Sequence, residues 1–293
     1  MSTPVPPTEP KARPEFAKGT SLKGRRTVKL LVYGEAKVGK TSFVLSLFPF
    51  FEQEGMKPEN VRVYVLDCDD GMQPLIDRGV VKTPWLESLY HIRCDTFDDI
   101  LFYTEQAIPL LKKWGEEHGP LSAWFIVDNM KSAWDWARVK FAIDVYGKPE
   151  HELALERRIE AQSQNKKMLP TFNQLTDYAV INPLHNNWIE GIKVSGVNFI
   201  LATPEDSFTP RNKDGSESAT VIKPGGQKGN TLRVDDIIRL HTVRNDQKGS
   251  AEYGKTYYLA DLEGSRTATL YFVDKRGTTF SQYMKWIATH REE

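Results

Sequence analysis

Short apolar runs alternate with amphipathic stretches of helical length from Thr27 to about residue 245. This alternation is typical of a parallel sheet with helices on both faces, because each doubly covered strand is a continuous apolar run. The runs VKLLVY and SAWFIVD are the clearest examples. The sequence therefore predicts an α/β fold with strands at about 28–33, 61–67, 89–93, 122–128, 196–203 and 235–244, and helices at about 40–49, 96–117, 131–146, 150–166 and 184–194.

The two ends of the chain depart from this pattern. Residues 1–26 contain five prolines, few apolar residues, and six basic against two acidic side chains. This composition predicts a disordered arm, either a solvated tail or one that touches phosphates. Beyond about residue 250 the apolar runs indicate further strands and a short helix near 279–289. We therefore expect an arm at 1–26, a core at 27–250 and a small β-rich C-terminal extension at 251–293.

Composition narrows the functional classes. The 293 residues are 40% hydrophobic, and 39 basic side chains balance 39 acidic ones. A neutral chain has no overall attraction for nucleic acid, so any such contact must come from local patches. Cys68 and Cys94 form no CxxC pair, which argues against zinc or disulfides, and no apolar run reaches the ~18 residues of a membrane span. We expect a soluble, cytoplasmic protein that does not bind membranes.

The strongest motif is GEAKVGKT, which matches GxxxxGK[ST] and lies between a predicted strand and a predicted helix. In such a loop the glycines let backbone amides turn toward phosphate oxygens, the lysine neutralises their charge and the hydroxyl binds Mg²⁺. The spacing and context therefore predict a nucleotide site. Its residues are Gly34, Glu35, Ala36, Lys37, Val38, Gly39, Lys40, Thr41 and Ser42.

Two carboxylates are candidates for the rest of this site. Asp128 ends an apolar run, where an aspartate would hold the magnesium shell. The next residue is Asn129 rather than Glu, which disfavours helicase, packaging-motor and AAA+ arrangements. The sequence lacks the NKxD motif that confers guanine specificity, which disfavours a GTPase. Asp69 follows the next strand after the loop and is a candidate base for the attacking water, the alternative being an acidic turn that closes the strand.

Taken together, these motifs resemble a RecA-type ATPase over about residues 28–245. The segment from Gly229 to Leu240 is similar to the stretch that leads into a late core strand of RecA. The loop GEAKVGKTSF and the aromatic-rich LSAWFIVDNMKSAW resemble phage-encoded RecA/RadB-like ATPases of the single-strand annealing type. The resemblance implies a RecA-like P-loop core that binds ATP and Mg²⁺ and forms a homo-oligomer on single-stranded DNA during recombination or annealing.

The resemblance also implies a role for each candidate residue. Lys40 and Thr41 would bind phosphate and Mg²⁺, Asp128 would hold the metal shell and Asp69 would activate water. Thr203 would sense the γ-phosphate, and Arg233 would complete the site of an adjacent subunit, with Lys223 and Lys228 as alternatives. The sequence departs from the pattern at position 69, which is usually Glu, and at position 203, which is Gln in RecA itself.

A DNA-binding loop is expected at residues 204–231, because it follows the strand that ends at Thr203. It contains Arg211, Lys213, Lys223 and Lys228, with Phe208 as a stacking ring, but its charges sum to zero. A flexible surface loop explains this composition equally well, so DNA binding is implied by the resemblance. Two other functions stay open: an ATP-gated assembly or binding protein with little turnover, and a viral DNA-packaging-type motor.

Overall fold

The computed structural model describes residues 27–165, 170–173, 175–210, 217–244, 246, 256–265, 273–274 and 279–290. The predicted arm at 1–26 lies outside these residues, as do Arg211 and Lys213 of the predicted DNA loop.

The described strands form a nine-stranded sheet in the order β3-β2-β4-β5-β1-β7-β8-β9, with β6 paired to β5. All pairs from β3 across to β7 are parallel, and β5–β6, β7–β8 and β8–β9 are antiparallel. Helices flank the sheet, so the predicted α/β class, a mainly parallel sheet covered by helices, is confirmed. The strands are β1 (Lys29–Gly34), β2 (Arg62–Asp67), β3 (Leu89–Arg93), β4 (Ala123–Asp128), β5 (Asn198–Phe208), β6 (Val221–Pro224), β7 (Asp236–Arg244), β8 (Thr256–Ser265) and β9 (Val273–Asp274).

The long helices lie close to their predicted positions. One difference is α8, which begins at Tyr178 rather than near residue 184 and contains Pro183. A proline in a helix interior removes a backbone hydrogen bond, so the sequence pattern did not indicate helix before it. The helices are α1 (Lys40–Leu45), α2 (Leu47–Gln53), α3 (Gln73–Asp77), α4 (Thr83–Leu86), α5 (Phe97–His118), α6 (Met130–Tyr146), α7 (Glu150–Ser163), α8 (Tyr178–Val194) and α9 (Phe280–His290).

Each face of the sheet has its own apolar core. Side chains of α1, α2 and α9 cover one face, where the ring centroids of Trp124 and Phe280 lie 5.2 Å apart. Side chains of α5, α6 and α8 cover the other face. Phe280 and Tyr283 are fully buried, and the Tyr283 hydroxyl donates to Asp236 at 2.6 Å. The described part of the predicted C-terminal extension therefore packs into the same core and extends the same sheet.

The parallel register brings the candidate site residues to one edge of the sheet. Asp67 pairs with Asp128 across β2 and β4, and Tyr33 pairs with Thr203 across β1 and β5. The carboxyl ends of these strands therefore lie side by side, where ligands bind in open α/β sheets. No helix in the described part of the chain is long and apolar enough to span a membrane.

Candidate functional site

The loop between β1 and α1 depends on its two motif glycines. A Cβ atom at Gly34 would lie 1.9 Å from the carbonyl oxygen of Leu240 on β7, so only glycine fits there. Gly39 precedes α1 with φ of 100°, a left-handed conformation that glycine adopts without strain. These two positions let the chain turn from the buried strand into the helix while its amides stay available to a ligand.

Lys40 is held over this loop by the loop's own carbonyl groups. Its Nζ donates to the carbonyl oxygens of Gly34 at 3.1 Å and Glu35 at 2.6 Å. Burial lowers the pKa of Lys40, against the opposing effect of Asp128, Asp69 and Glu205. The Lys40 ammonium group is therefore half-buried and held against the loop by two carbonyl oxygens.

Thr41 and Asp128 form a pair of oxygen donors beside this lysine. The Thr41 hydroxyl donates to Oδ2 of Asp128 at 2.7 Å, and Asp128 is only 3% exposed. Burial raises the pKa of Asp128 to about 6, an effect that the Thr41 hydrogen bond opposes and that Asp69 and Asp67 reinforce. A buried carboxylate next to a hydroxyl fits Mg²⁺, which binds few protein oxygens and completes its shell with water and phosphate.

No cluster of three or more His, Cys, Asp or Glu side chains that could hold a metal ion occurs among the described residues. Mg²⁺ is commonly bound by one or two protein oxygens together with substrate phosphates, and the Thr41–Asp128 pair supplies two oxygens of this kind.

Asp69 is exposed and faces the same cavity as Lys40. Its Oδ2 accepts a hydrogen bond from Nδ2 of Asn129 at 2.5 Å. Oδ1 of Asn129 in turn accepts from the amide of Ser132 at 2.8 Å and caps the N-terminus of α6. Asn129 therefore positions the Asp69 carboxylate, a role that the sequence pattern did not reveal because it lies 60 residues away.

Asp67 is the residue that closes the turn after β2. Its buried carboxylate accepts from the amides of Gly71 at 3.2 Å and Met72 at 3.1 Å, and lies 2.8 Å from Nε2 of His91. Burial would raise the pKa of Asp67, but these hydrogen bonds outweigh it and lower the pKa. The Asp67 carboxylate therefore closes this turn, and Asp69, two residues later, lines the cavity.

A cavity of about 550 Å³ contains these groups, a volume suited to a small-molecule ligand. Its walls include Lys40, Asp69, Asp128, Asn129 and, from the segment after α3, Arg78. A second cavity of about 420 Å³ adjoins the other side of the loop, next to Tyr258 and Leu240. Of the nine predicted loop residues, Val38 lines the second cavity, and Gly34 and Glu35 contact Lys40 through their carbonyl groups. The other six line the first cavity: Ala36, Lys37, Gly39, Lys40, Thr41 and Ser42.

Thr203 lies at the edge of the sheet that carries the cavity but is not among the residues that line it. It is fully buried, and its hydroxyl donates to the carbonyl oxygen of Gly225 at 3.1 Å. The next residue, Pro204, is the one that lines the cavity. In this structure Thr203 therefore connects β5 to the segment after β6, and Glu205 beyond it pairs with Arg239 at 3.3 Å.

Arg233 lies at the opposite edge of the sheet. It precedes β7, whose first residue Asp236 pairs with Leu30 near the start of β1. Its Nη1 donates to the carbonyl oxygen of Gly229 at 2.5 Å, and its Nε lies 3.7 Å from Glu190. The structure does not bring Arg233 to the cavity of its own chain, and its proposed contact with an adjacent subunit stays a prediction.

The hairpin of β5 and β6 extends from the cavity edge of the sheet. Phe208 is 47% exposed on it, and the ammonium group of Lys223 lies 4.8 Å from the Phe208 ring centroid. Lys131 on α6 pairs with Asp206 at the base of this hairpin at 2.9 Å. An exposed ring beside a cation is the kind of surface on which a nucleobase stacks.

Comparison with known proteins adds a distant structural likeness. No protein-family model and no curated protein matches the chain. The structure is similar to that of a KaiC-like protein from the hyperthermophilic archaeon Pyrococcus horikoshii OT3, with a TM-score of 0.44 and 12% sequence identity over 86% of each chain. A likeness at this level carries no conclusion about activity, which must be argued from the geometry of the site.

Proposed function

We propose that this chain binds ATP with Mg²⁺ in the cavity at the end of β1 and hydrolyses it. The observation that carries the proposal is the joint placement of Lys40, the Thr41–Asp128 pair at 2.7 Å and Asp69 around one cavity of about 550 Å³. These are a phosphate-binding cation, two magnesium ligands and a carboxylate base, the groups that phosphoryl transfer to water requires.

Each group has a distinct part in the proposed reaction. Asp69 accepts a proton from a water molecule whose oxygen attacks the terminal phosphorus, while the bond from that phosphorus to the bridging oxygen breaks. ADP and inorganic phosphate are the products. Lys40 stabilises the charge on the phosphate oxygens, and Asn129 keeps the Asp69 carboxylate oriented. Mg²⁺ bound near Thr41 and Asp128 would supply further neutralisation of the phosphates.

We further propose that the ATPase acts on single-stranded DNA as a homo-oligomer, in recombination or annealing. Support comes from the resemblance of the motifs to RecA-type proteins and from the hairpin, where Phe208 and Lys223 form an exposed aromatic and basic surface. The Lys131–Asp206 ion pair joins this hairpin to α6, whose first turn is capped by Asn129. A nucleotide-dependent movement of Asp69 and Asn129 would therefore be transmitted to the hairpin through the first turn of α6 and the Lys131–Asp206 ion pair.

The test compares the ATPase rate of the wild type and Lys40→Ala, with and without single-stranded DNA. We expect measurable hydrolysis by the wild type, stimulation by DNA, and loss of nucleotide binding or turnover in Lys40→Ala with unchanged circular dichroism. Wild-type affinity and turnover in Lys40→Ala would refute the site. An ATPase rate that does not change at any concentration of single-stranded DNA would refute only the proposed dependence of hydrolysis on DNA.

A second candidate is an ATP-gated assembly protein with little turnover. The hydrogen bond from Asn129 to Asp69 favours it, because a carboxylate held by an amide is less available to a water molecule. This candidate predicts that nucleotide changes the oligomeric state in light scattering while Asn129→Ala raises the rate of hydrolysis. A lower rate in Asn129→Ala would support the positioning role of Asn129 instead.

A further inference from the structure

Arg78 stands at a defined position beside the nucleotide cavity. It follows α3. There the amide of Gly79 donates to the carbonyl oxygen of Ile76 at 2.9 Å, and the amide of Val80 donates to the carbonyl oxygen of Leu75 at 3.1 Å. Gly79 has φ of 73°, so this is a glycine-terminated helix end that fixes the chain direction.

The segment that carries Arg78 is anchored to the core at both ends. Met72 before α3 is fully buried, and Val81 after Arg78 is 2% exposed. The carboxylate of Asp67 accepts the amide of Met72, which ties the start of the segment to β2. The backbone at Arg78 is therefore held in place, and Arg78 is one of the residues that line the cavity.

The side chain of Arg78 has no acidic or hydrogen-bonding partner among the residues that the structure describes, unlike the side chains of other cations nearby. Lys82, four residues later, pairs with Glu52 at 2.7 Å. Arg93 at the end of β3 pairs with Asp70 at 3.3 Å and Asp95 at 3.1 Å. Arg78 is thus a cation at the cavity without a protein counterion, which leaves its planar set of donors available to a bound anion.

The charge around the cavity favours such an anion. Three cations, Lys37, Lys40 and Arg78, line it against two carboxylates, Asp69 and Asp128. Arg78 and Asp69 both follow β2, whereas Lys40 follows β1, and β4 and β5 lie between these two strands. A phosphate chain held by the loop at Lys40 would therefore point its terminal phosphate toward the side that carries Asp69 and Arg78.

We propose that Arg78 binds the terminal phosphate of the nucleotide from within the same chain, an inference that rests on the proposed ATPase function. A guanidinium group donates two parallel hydrogen bonds to phosphate oxygens, so it stabilises the charge of the transferring group directly. Arg78 thereby distinguishes a triphosphate from a diphosphate. The resemblance to RecA-type proteins implied that Arg233 of an adjacent subunit completes the site. Arg78 would supply that cation from within the same chain.

The test measures affinity for ADP and for the slowly hydrolysed analogue ATPγS, each with Mg²⁺, by calorimetry. Arg78→Ala should keep its ADP affinity within about twofold and lose roughly 10- to 100-fold in ATPγS affinity and in kcat. Arg78→Lys should recover part of both losses, since it keeps the charge but not the paired donors. Lys82→Ala is the matched control, because it removes a nearby exposed cation outside the cavity wall and should behave as the wild type.

Equal ATPγS affinity and kcat in Arg78→Ala and wild type would overturn the proposal while leaving the ATPase function intact. A wild type that binds neither nucleotide would overturn both. Mixing Arg78→Ala with Lys40→Ala protein separates the two possible sources of the cation. Contribution within the chain predicts no regained hydrolysis, because every cavity keeps one defect, whereas regained activity would show that Arg78 acts on a neighbouring subunit.

Discussion

Replacing Asp128 by asparagine should stabilise the ligand-free protein while removing its response to Mg²⁺ and ATP. Asp128 is 3% exposed, and among the described residues the Thr41 hydroxyl donates to its carboxylate. An ionised carboxylate at such a position is poorly solvated, because burial disfavours the charged form. Asparagine has nearly the same shape, carries no charge, and keeps an oxygen that accepts the Thr41 hydroxyl.

The size of the effect follows from the pKa of Asp128. In the folded protein burial raises this pKa from 3.8 to about 6, so the folded state binds the proton more tightly than the unfolded state. The folded protein therefore loses stability as pH rises from about 4 to about 6, and the loss is complete above that range. A difference of about 2 pKa units corresponds to about 3 kcal/mol of unfolding free energy.

Urea denaturation of wild type and Asp128→Asn, without nucleotide or metal, measures this difference. At pH 8 the variant should be more stable by up to about 3 kcal/mol, and near pH 4 the two proteins should be nearly equal. The comparison cancels the titration of other groups, which both proteins share. A gain that is the same at pH 4 and pH 8, or no gain at pH 8, would refute the electrostatic account of Asp128.

Three further outcomes test other parts of the structure. Asp69→Asn should lower kcat by on the order of 100-fold or more at retained ATP affinity, because a lost base affects the transition state. The control is Asp70→Asn, which should turn over normally because the Asp70 side chain pairs with an arginine. The reverse result would assign the base to Asp70. Phe280→Ala should cost about 3 to 5 kcal/mol in urea denaturation, since the ring is fully buried, and a loss under about 1 kcal/mol would contradict its place in the core. Arg233→Ala should bind ATP but lose DNA-stimulated assembly in light scattering, and unchanged assembly would remove Arg233 from any subunit contact.

The sequence predicted the sheet well because its strands are short apolar runs with clear ends. The strand at Leu89–Arg93 was predicted with its observed bounds, and the start of α5 was indicated by the polar residues before Phe97. Thr96 accepts the amide of Asp99, and Asp99 accepts the amide of Thr96, so the local signal was a complete capping box. Local rules of this kind fix where an element begins, and they need no knowledge of the rest of the fold.

The features that sequence did not predict depend on contacts between distant segments. The four-residue strand β6 exists because it pairs with the extension of β5, and its own sequence, VIKP, contains a proline. Asn129 contacts Asp69 across 60 residues, and Arg78 reaches the cavity only because the turn after β2 folds back beside it. No local pattern marks such residues, since their role arises from which strands become neighbours.

The positions of Arg78 and Arg233 have different consequences for assembly. Arg233 lies at the amino end of β7, the edge of the sheet opposite the cavity, so it can serve catalysis only through a neighbouring subunit. Arg78 lies in the wall of its own cavity. If the cation comes from Arg78, the ATPase rate per chain should not change on dilution below the concentration at which the proposed oligomer forms. Assembly would then serve DNA binding through the hairpin rather than completion of the ATP site, and the two activities would separate in a monomeric variant.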